Sequence, residues 1–107
     1  MIAPDEYLNE NSRNSVSTIG TTAVKICEKM PIGIRRIISF SNRSTTGQVI
    51  TIAIGGAAAV NQGIPLLVGS TWTESVSENF YPTNDEVWAI SSGANATLSI
   101  YERIKSV

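Results

Sequence analysis

The chain has 107 residues, 42% of them hydrophobic and only 16% charged, with a formal net charge of −1, so it has room for one domain of the usual size of about 100–150 residues and no second. A balance so close to neutral gives no electrostatic pull towards a phosphate backbone, which argues against nucleic acid as a partner. No apolar run approaches the roughly 18–20 residues of a membrane helix, and residues 1–14 show neither the basic end nor the apolar stretch of a signal peptide, so the reading is a soluble chain made in a cytoplasm, without a membrane partner.

The first segment, residues 1–13, has no strand alternation and carries Asp5, Glu6 and Glu10 against a single Arg13. It reads as an extended arm before a domain spanning 14–107. Pro4 followed by two acids favours one helical turn, but nothing sustains it. A disordered terminus is the plain reading. The sharper one is an arm lying on an adjacent subunit through Ile2, Tyr7 and Leu8, with Asp5 and Glu6 supplying its charge.

From residue 14 onward, short apolar or β-branched runs recur at the roughly 8–12-residue spacing of sandwiches and barrels. The candidate strands are 14–19, 22–30, 34–42, 48–55, 64–68, 71–76, 86–92 and 96–104. Each is closed by residues that supply positive φ, fixed φ or a local side-chain cap: Gly20, 31–33, 43–47, 55–56, Gly69, 82–85 and 93–95. Period-two alternation is clear in several of them. Ile50, Ile52 and Ile54 share one side of their run, Ile38 and Phe40 share another, Trp88 and Ile90 oppose Val87 and Ala89, and Leu98 and Ile100 oppose Thr97 and Ser99. No window shows the spacing of an amphipathic helix. Mostly short linkers require antiparallel pairing, so the expected fold is all-β: a single antiparallel two-sheet sandwich with a Greek-key or jelly-roll path and about eight strands. The two longer connections, 55–63 and 76–85, are the expected crossings between sheets. The low charge, below the roughly 25% of ordinary soluble chains, suits a Ser/Thr-rich solvent face and a surface that meets neighbours.

Chemistry is sparse. The chain has no histidine, which removes Ser-His-Asp and Cys-His nucleophiles and histidine zinc sites. Cys27, the single cysteine, has no intrachain partner; its alternation with Lys25 and Lys29 would lower a thiol pKa, yet no base or resolving cysteine accompanies it, and a packed cysteine is the simpler reading. Of the acids, Asp85 and Glu86 are adjacent, and strand neighbours point to opposite faces, which argues against a glycosidase pair. Asn84, Asp85 and Glu86 offer oxygens to calcium but lack the loop spacing, and an Asn/Asp-capped turn accounts for them. Gly55-Gly56 lacks phosphate-loop spacing. The sequence thus gives no catalytic residue, no metal ligand and no cofactor.

The remaining candidates are for contact. Arg35 and Arg36 form a basic pair at a strand start, one of them turned to solvent or to a neighbouring acidic arm. Trp72, Phe80, Tyr81 and Tyr101 are aromatics suited to packing, to an interface or to stacking on sugars; Trp72 shares its strand face with Glu74 and Val76, which favours packing. A carbohydrate-binding module using Trp72 or Tyr81 is the alternative from a different class. The patterns at Asn42 and Asn95 match glycosylation acceptors, relevant only in a secreted eukaryotic chain.

The stretch ISFSNRSTTGQVITIAIGG, followed by NQGIPLLVGSTWTES and VWAISSGANATLSIYER, resembles small β-sandwich virion proteins of tailed bacteriophages over about residues 22–103. The resemblance rests on Phe40-Ser41-Asn42 at a strand end, on Gly63, Ile64, Leu66 and Gly69 leading through a turn, and on Glu102 closing the last hairpin. Val68 stands where relatives often have Pro. The resemblance implies a non-enzymatic structural protein located in the virion. A head decoration or cement protein bridging major capsid subunits leads, with a tail, neck or fibre component as the alternative. It implies the major capsid protein or another virion protein as partner, and a homo-oligomer, with a trimer favoured.

Overall fold

The computed structural model describes residues 10–105. Over them run eight strands and no helix: β1 (Glu10–Ile19), β2 (Val24–Cys27), β3 (Arg35–Asn42), β4 (Ile50–Ile54), β5 (Ile64–Leu66), β6 (Thr71–Ser75), β7 (Val87–Ser91) and β8 (Ala96–Lys105). Two four-stranded sheets result, one ordered β1-β8-β3-β6 (sheet A) and the other β2-β7-β4-β5 (sheet B). Every pairing is antiparallel. The eight-strand sandwich is the one the turn spacing predicts, with each strand inside or close to its expected run.

Alternation explains the core. In β3 and β8 the inward set is Ile38, Phe40, Ala96, Leu98 and Ile100; sheet B answers with Cys27, Ile50, Ile52, Leu66, Val87 and Ala89. Each fully buried Ile or Leu contributes about 1.5–3 kcal/mol relative to exposure. The outward face of sheet A is hydroxyl-rich, as the composition foreshadows. Ser39 and Thr73 join Oγ to Oγ1 at 2.8 Å, and Ser41 and Thr71 at 2.7 Å, across the β3–β6 pair.

Three expectations need correction. Strand β1 starts at Glu10, four residues before the expected boundary of the arm, so 10–13 belong to the sheet. Both faces of this edge strand are largely exposed, with only Ile19 fully buried, so it has no apolar alternation to read. Residues 1–9, and with them Ile2, Asp5, Glu6, Tyr7 and Leu8, lie outside the described residues. The loop 55–63 does not cross between sheets: it joins β4 to β5 inside sheet B. Of the two long connections only the one from β6 to β7 crosses, and short links such as 20–23 make other crossings. A residue spans up to about 3.3–3.6 Å when extended, so four of them bridge sheets about 10 Å apart. Finally, Lys25 and Cys27 do not share a face. A register shift between them turns Cys27 inward and leaves Lys25 outside, paired with Glu28 at 3.3 Å.

The pairings sort the loops into two groups. At one end lie 28–34, 55–63 and 76–86, with the start of β1 and the end of β8; at the other lie 20–23, 43–49, 67–70 and 92–95.

Candidate functional site

Strand β3 carries a buried polar side chain at each end, and these two side chains tie the sheets together. A register shift between Arg35 and Ile37 re-aims the chain, as bulges do, so that Arg35 points inward together with Ile38 and Phe40 while Arg36 turns away. Arg35 is fully buried. Its Nε donates to Glu102 Oε2 at 2.9 Å, its Nη1 to the carbonyls of Thr83 (2.8 Å) and Asp85 (3.0 Å), and its Nη2 to that of Glu28 (2.8 Å). One side chain thus holds β8, the β2–β3 loop and the β6–β7 loop. The other oxygen of the buried Glu102 accepts from Arg13 on β1. Placing a buried carboxylate between two guanidiniums, one with three carbonyl acceptors, meets the condition under which buried charge is tolerated.

At the opposite end Asn42 is fully buried. Its Nδ2 donates to the carbonyls of Gln48 and Leu66, both at 2.8 Å, and its Oδ1 accepts from the Ser44 amide at 3.0 Å. Sequence reasoning marked Asn42 as a glycosylation pattern and a point of resemblance, and Glu102 as a point of resemblance. Their structural task has no signal beyond a polar residue placed on the apolar parity of a strand. Burial also denies Asn42 to glycosylation.

Cys27 sits beneath this network, 2% exposed. Burial, and then the nearby Glu102 carboxylate, push its thiol up to about 12 from an ordinary 9.0. That is the packed cysteine the sequence reading favours over a lysine-activated thiolate, and it makes Cys27 inert towards thiol chemistry.

The residues proposed for contact separate. Arg35 is interior and satisfied, so it offers nothing to a partner. Arg36 lies on the flank with Nε 3.8 Å from Glu10 Oε2, while Arg103 Nε binds Glu10 Oε1 at 2.9 Å; the acid that meets Arg36 belongs to β1 of the same chain. Trp72 stacks on Phe40 with ring centroids 5.8 Å apart and planes at 6°, which commits one ring face to the core margin. Tyr81 is 56% exposed. Around 82–86 the chain bends at Asp85, and the side chain that caps the bend is Thr83 rather than Asn84 or Asp85: Thr83 Oγ1 accepts from the Asp85 amide at 3.2 Å, while Asn84 Nδ2 donates to the Met30 carbonyl at 3.2 Å. Among the described residues no cluster of three or more His, Cys, Asp or Glu is placed to hold a metal.

Among the described residues, each sheet ends in edge strands with no further strand beside them. The sheet-B edges are guarded in the usual ways: β5 is three residues long with Pro65 at its centre, and β2 is four residues long with a register shift and Lys25. The β6 edge of sheet A is five residues long and carries Glu74. Strand β1 is ten residues long, keeps unbroken register with β8, and runs without charge from Asn14 to Ile19 with Val16 67% exposed. Beside it, a shallow groove of about 370 Å³ opens on the outer face of sheet A over Ser39, Ser41, Ser99 and Tyr101.

No family model matches the chain, and no curated protein does. The fold is similar to a solved structure from work on Bacillus endospore appendages that form a family of disulfide-linked pili. The TM-score is 0.61 and the identity 16%, and the match covers 92% of this chain and 88% of that one. At this identity the likeness is one of fold, across nearly the whole of both chains.

Proposed function

We propose that this chain is a non-enzymatic structural subunit that assembles with further copies of itself into a filamentous, pilus-like appendage, and that β1 is the strand through which it does so. The observation that carries the reading is the stretch 14–19 of β1: among the described residues no strand lies beyond it, and it holds regular register with no proline, no bulge and no charge. Such an edge is a template for another strand. The likeness to an appendage subunit supports the same reading. The acidic arm, through Ile2, Asp5, Glu6, Tyr7 and Leu8, is proposed as a second contact on the adjacent copy. Disulfides play no part in this assembly, because the single cysteine is buried beneath Glu102.

The test is electron microscopy and light scattering on the purified chain and on the variant Val16→Lys/Thr18→Lys. Both positions are exposed on the outer side of the edge, so lysine there spares the core. Wild type is expected to form fibres that persist in reductant, and the double variant to stay small. Fibres of equal length from the variant would refute the role of β1.

The resemblance to tailed-phage virion proteins supports a second reading, in which the same sandwich serves as a trimeric head decoration protein on major capsid subunits or as a tail, neck or fibre component. Co-sedimentation with capsids, without growth of fibres from the purified chain, would favour it.

A further inference from the structure

Resting on the assembly reading above, we infer that the strand β1 pairs with is β6 of a second copy: β1 of one chain lies antiparallel along Thr71–Ser75 of the next, and sheet A runs on from copy to copy.

The backbone decides which groups each edge offers. The Val76 amide donates to the Arg36 carbonyl at 2.8 Å, and the Ser70 carbonyl accepts from the Asn42 amide at 3.0 Å, so the even-numbered residues in and around β6 bond β3. In an antiparallel ladder they alternate with residues that bond the other way. The amides and carbonyls of Thr71, Thr73 and Ser75 therefore point away from β3, where no strand lies among the described residues. On β8, the Thr97 carbonyl accepts from the amide of Arg43, the residue after β3, and the Lys105 amide donates to the Ile34 carbonyl, both at 2.8 Å. Odd-numbered residues of β8 thus face β3 and even-numbered ones face β1. Since Leu98 lies against Ser17 and Ile100 against Ser15, the open backbone groups of β1 are those of Asn14, Val16 and Thr18.

Side chains follow the same division. Thr71 and Thr73 meet Ser41 and Ser39 on the outer face of sheet A, and Asn14 and Val16 line the groove on that face. All six residues with open backbone groups are exposed. Joined edge to edge, free donors and acceptors meet their like, and the hydroxyl-rich face continues unbroken. Direction agrees as well. In a sheet of four strands with every pairing antiparallel, β1 and β6 run in opposite senses, so a second copy in the same orientation presents β1 antiparallel to β6.

Charge does not oppose the join. Set straight across the strands, Val16 falls opposite Thr71, Asn14 opposite Thr73, and Arg13 opposite Glu74, the one charged residue of β6. Opposite charges across a strand pair are favourable. The other edges are poorer partners: β5 has Pro65 at its centre and β2 has a register shift. Pairing β1 with β1 uses the same patch twice and closes as a two-fold dimer, whereas β1 against β6 is heterologous and repeats, as a filament requires.

Cross-linking reads the strand pair. Two differently tagged forms, one carrying Val16→Cys and the other Thr73→Cys, are assembled together and treated with a short bis-maleimide. Cys27 is 2% exposed and contributes no thiol. Across the join the two positions are opposite or diagonal, about 5–8 Å apart; within one copy three strand spacings, about 14 Å, separate them. The main product is expected to join one form to the other, and a chain carrying both substitutions is expected to give a ladder of multimers. Circular dichroism confirms that each variant is folded. Dimers linked from 16 to 16 would overturn the β6 pairing while leaving β1 as the assembling strand. Assembled material in which the thiol at 16 is linked to neither position would also overturn it, and the Val16→Lys/Thr18→Lys comparison then decides independently whether β1 takes part.

Discussion

Replacing Glu102 by Ala removes the carboxylate that joins Arg13 on β1 to Arg35 at the sheet interface. Arg35 keeps its three backbone acceptors but loses the only negative charge bonded to it in a fully buried site. Removing one partner of a buried pair costs about 3–5 kcal/mol, a large share of the roughly 5–15 kcal/mol that holds a domain together. With an unfolding entropy of about 2.1 cal/mol/K per residue, each kcal/mol moves the melting temperature of a chain this size by about 4.4 °C, so the drop is about 13–22 °C. Arg13→Ala is the control. Its side chain is 48% exposed, so screening by solvent reduces its share to about 0–1 kcal/mol. Urea denaturation followed by circular dichroism measures both. Should Glu102→Ala fall within about 1 kcal/mol of wild type, or Arg13→Ala cost as much as Glu102→Ala, the reasoning about the tie would be wrong.

Three further outcomes follow from particular residues. Gly63→Ala is expected to destabilise by about 1–3 kcal/mol or more, because φ is +146° and the added Cβ would stand 2.3 Å from the Ile52 carbonyl oxygen; a thermal melt unchanged within about 2 °C would contradict this. Asn42→Ala strands the Leu66 and Gln48 carbonyls and the Ser44 amide, at a cost of about 2–4 kcal/mol, which a denaturant titration reads directly. Cys27 sets an alkaline limit. Its folded pKa is raised, so the stability it lends is complete below pH 9 and is lost as pH climbs towards about 12, at up to about 1.4 kcal/mol per pH unit. Melting temperatures recorded between about pH 8 and 11 should fall more steeply for wild type than for Cys27→Ala, and parallel curves would refute the assignment. In the native protein, alkylating reagents should leave Cys27 unmodified until the chain is unfolded.

Much of the sandwich was legible because its strands obey simple rules. β3 and β8 alternate apolar and polar residues, β4 sets isoleucine at every second position, β7 is a short apolar run, and Gly, Pro and Asn mark their ends, so local patterning and final packing agree. β1 was half missed because an edge strand with both faces wet buries almost nothing, and periodicity records only burial. The crossings were misassigned because loop length does not decide which sheet the chain enters next. The bulge at Arg35 decides which of the two arginines is buried: one extra residue shifts parity, and nothing in Arg-Arg announces it. The proposed assembly edge was hardest to see, because an edge is defined by the absence of a neighbouring strand and not by any residue pattern.

Amide hydrogen exchange over residues 14–18, compared between dispersed and assembled protein, tests most directly whether β1 is where copies join. The outward amides of an unpaired edge exchange quickly, and pairing with another chain protects them. The account predicts that these amides gain protection on assembly, while those of the proline-blocked β5 edge do not. Unchanged exchange along β1 in material that has visibly assembled would contradict it.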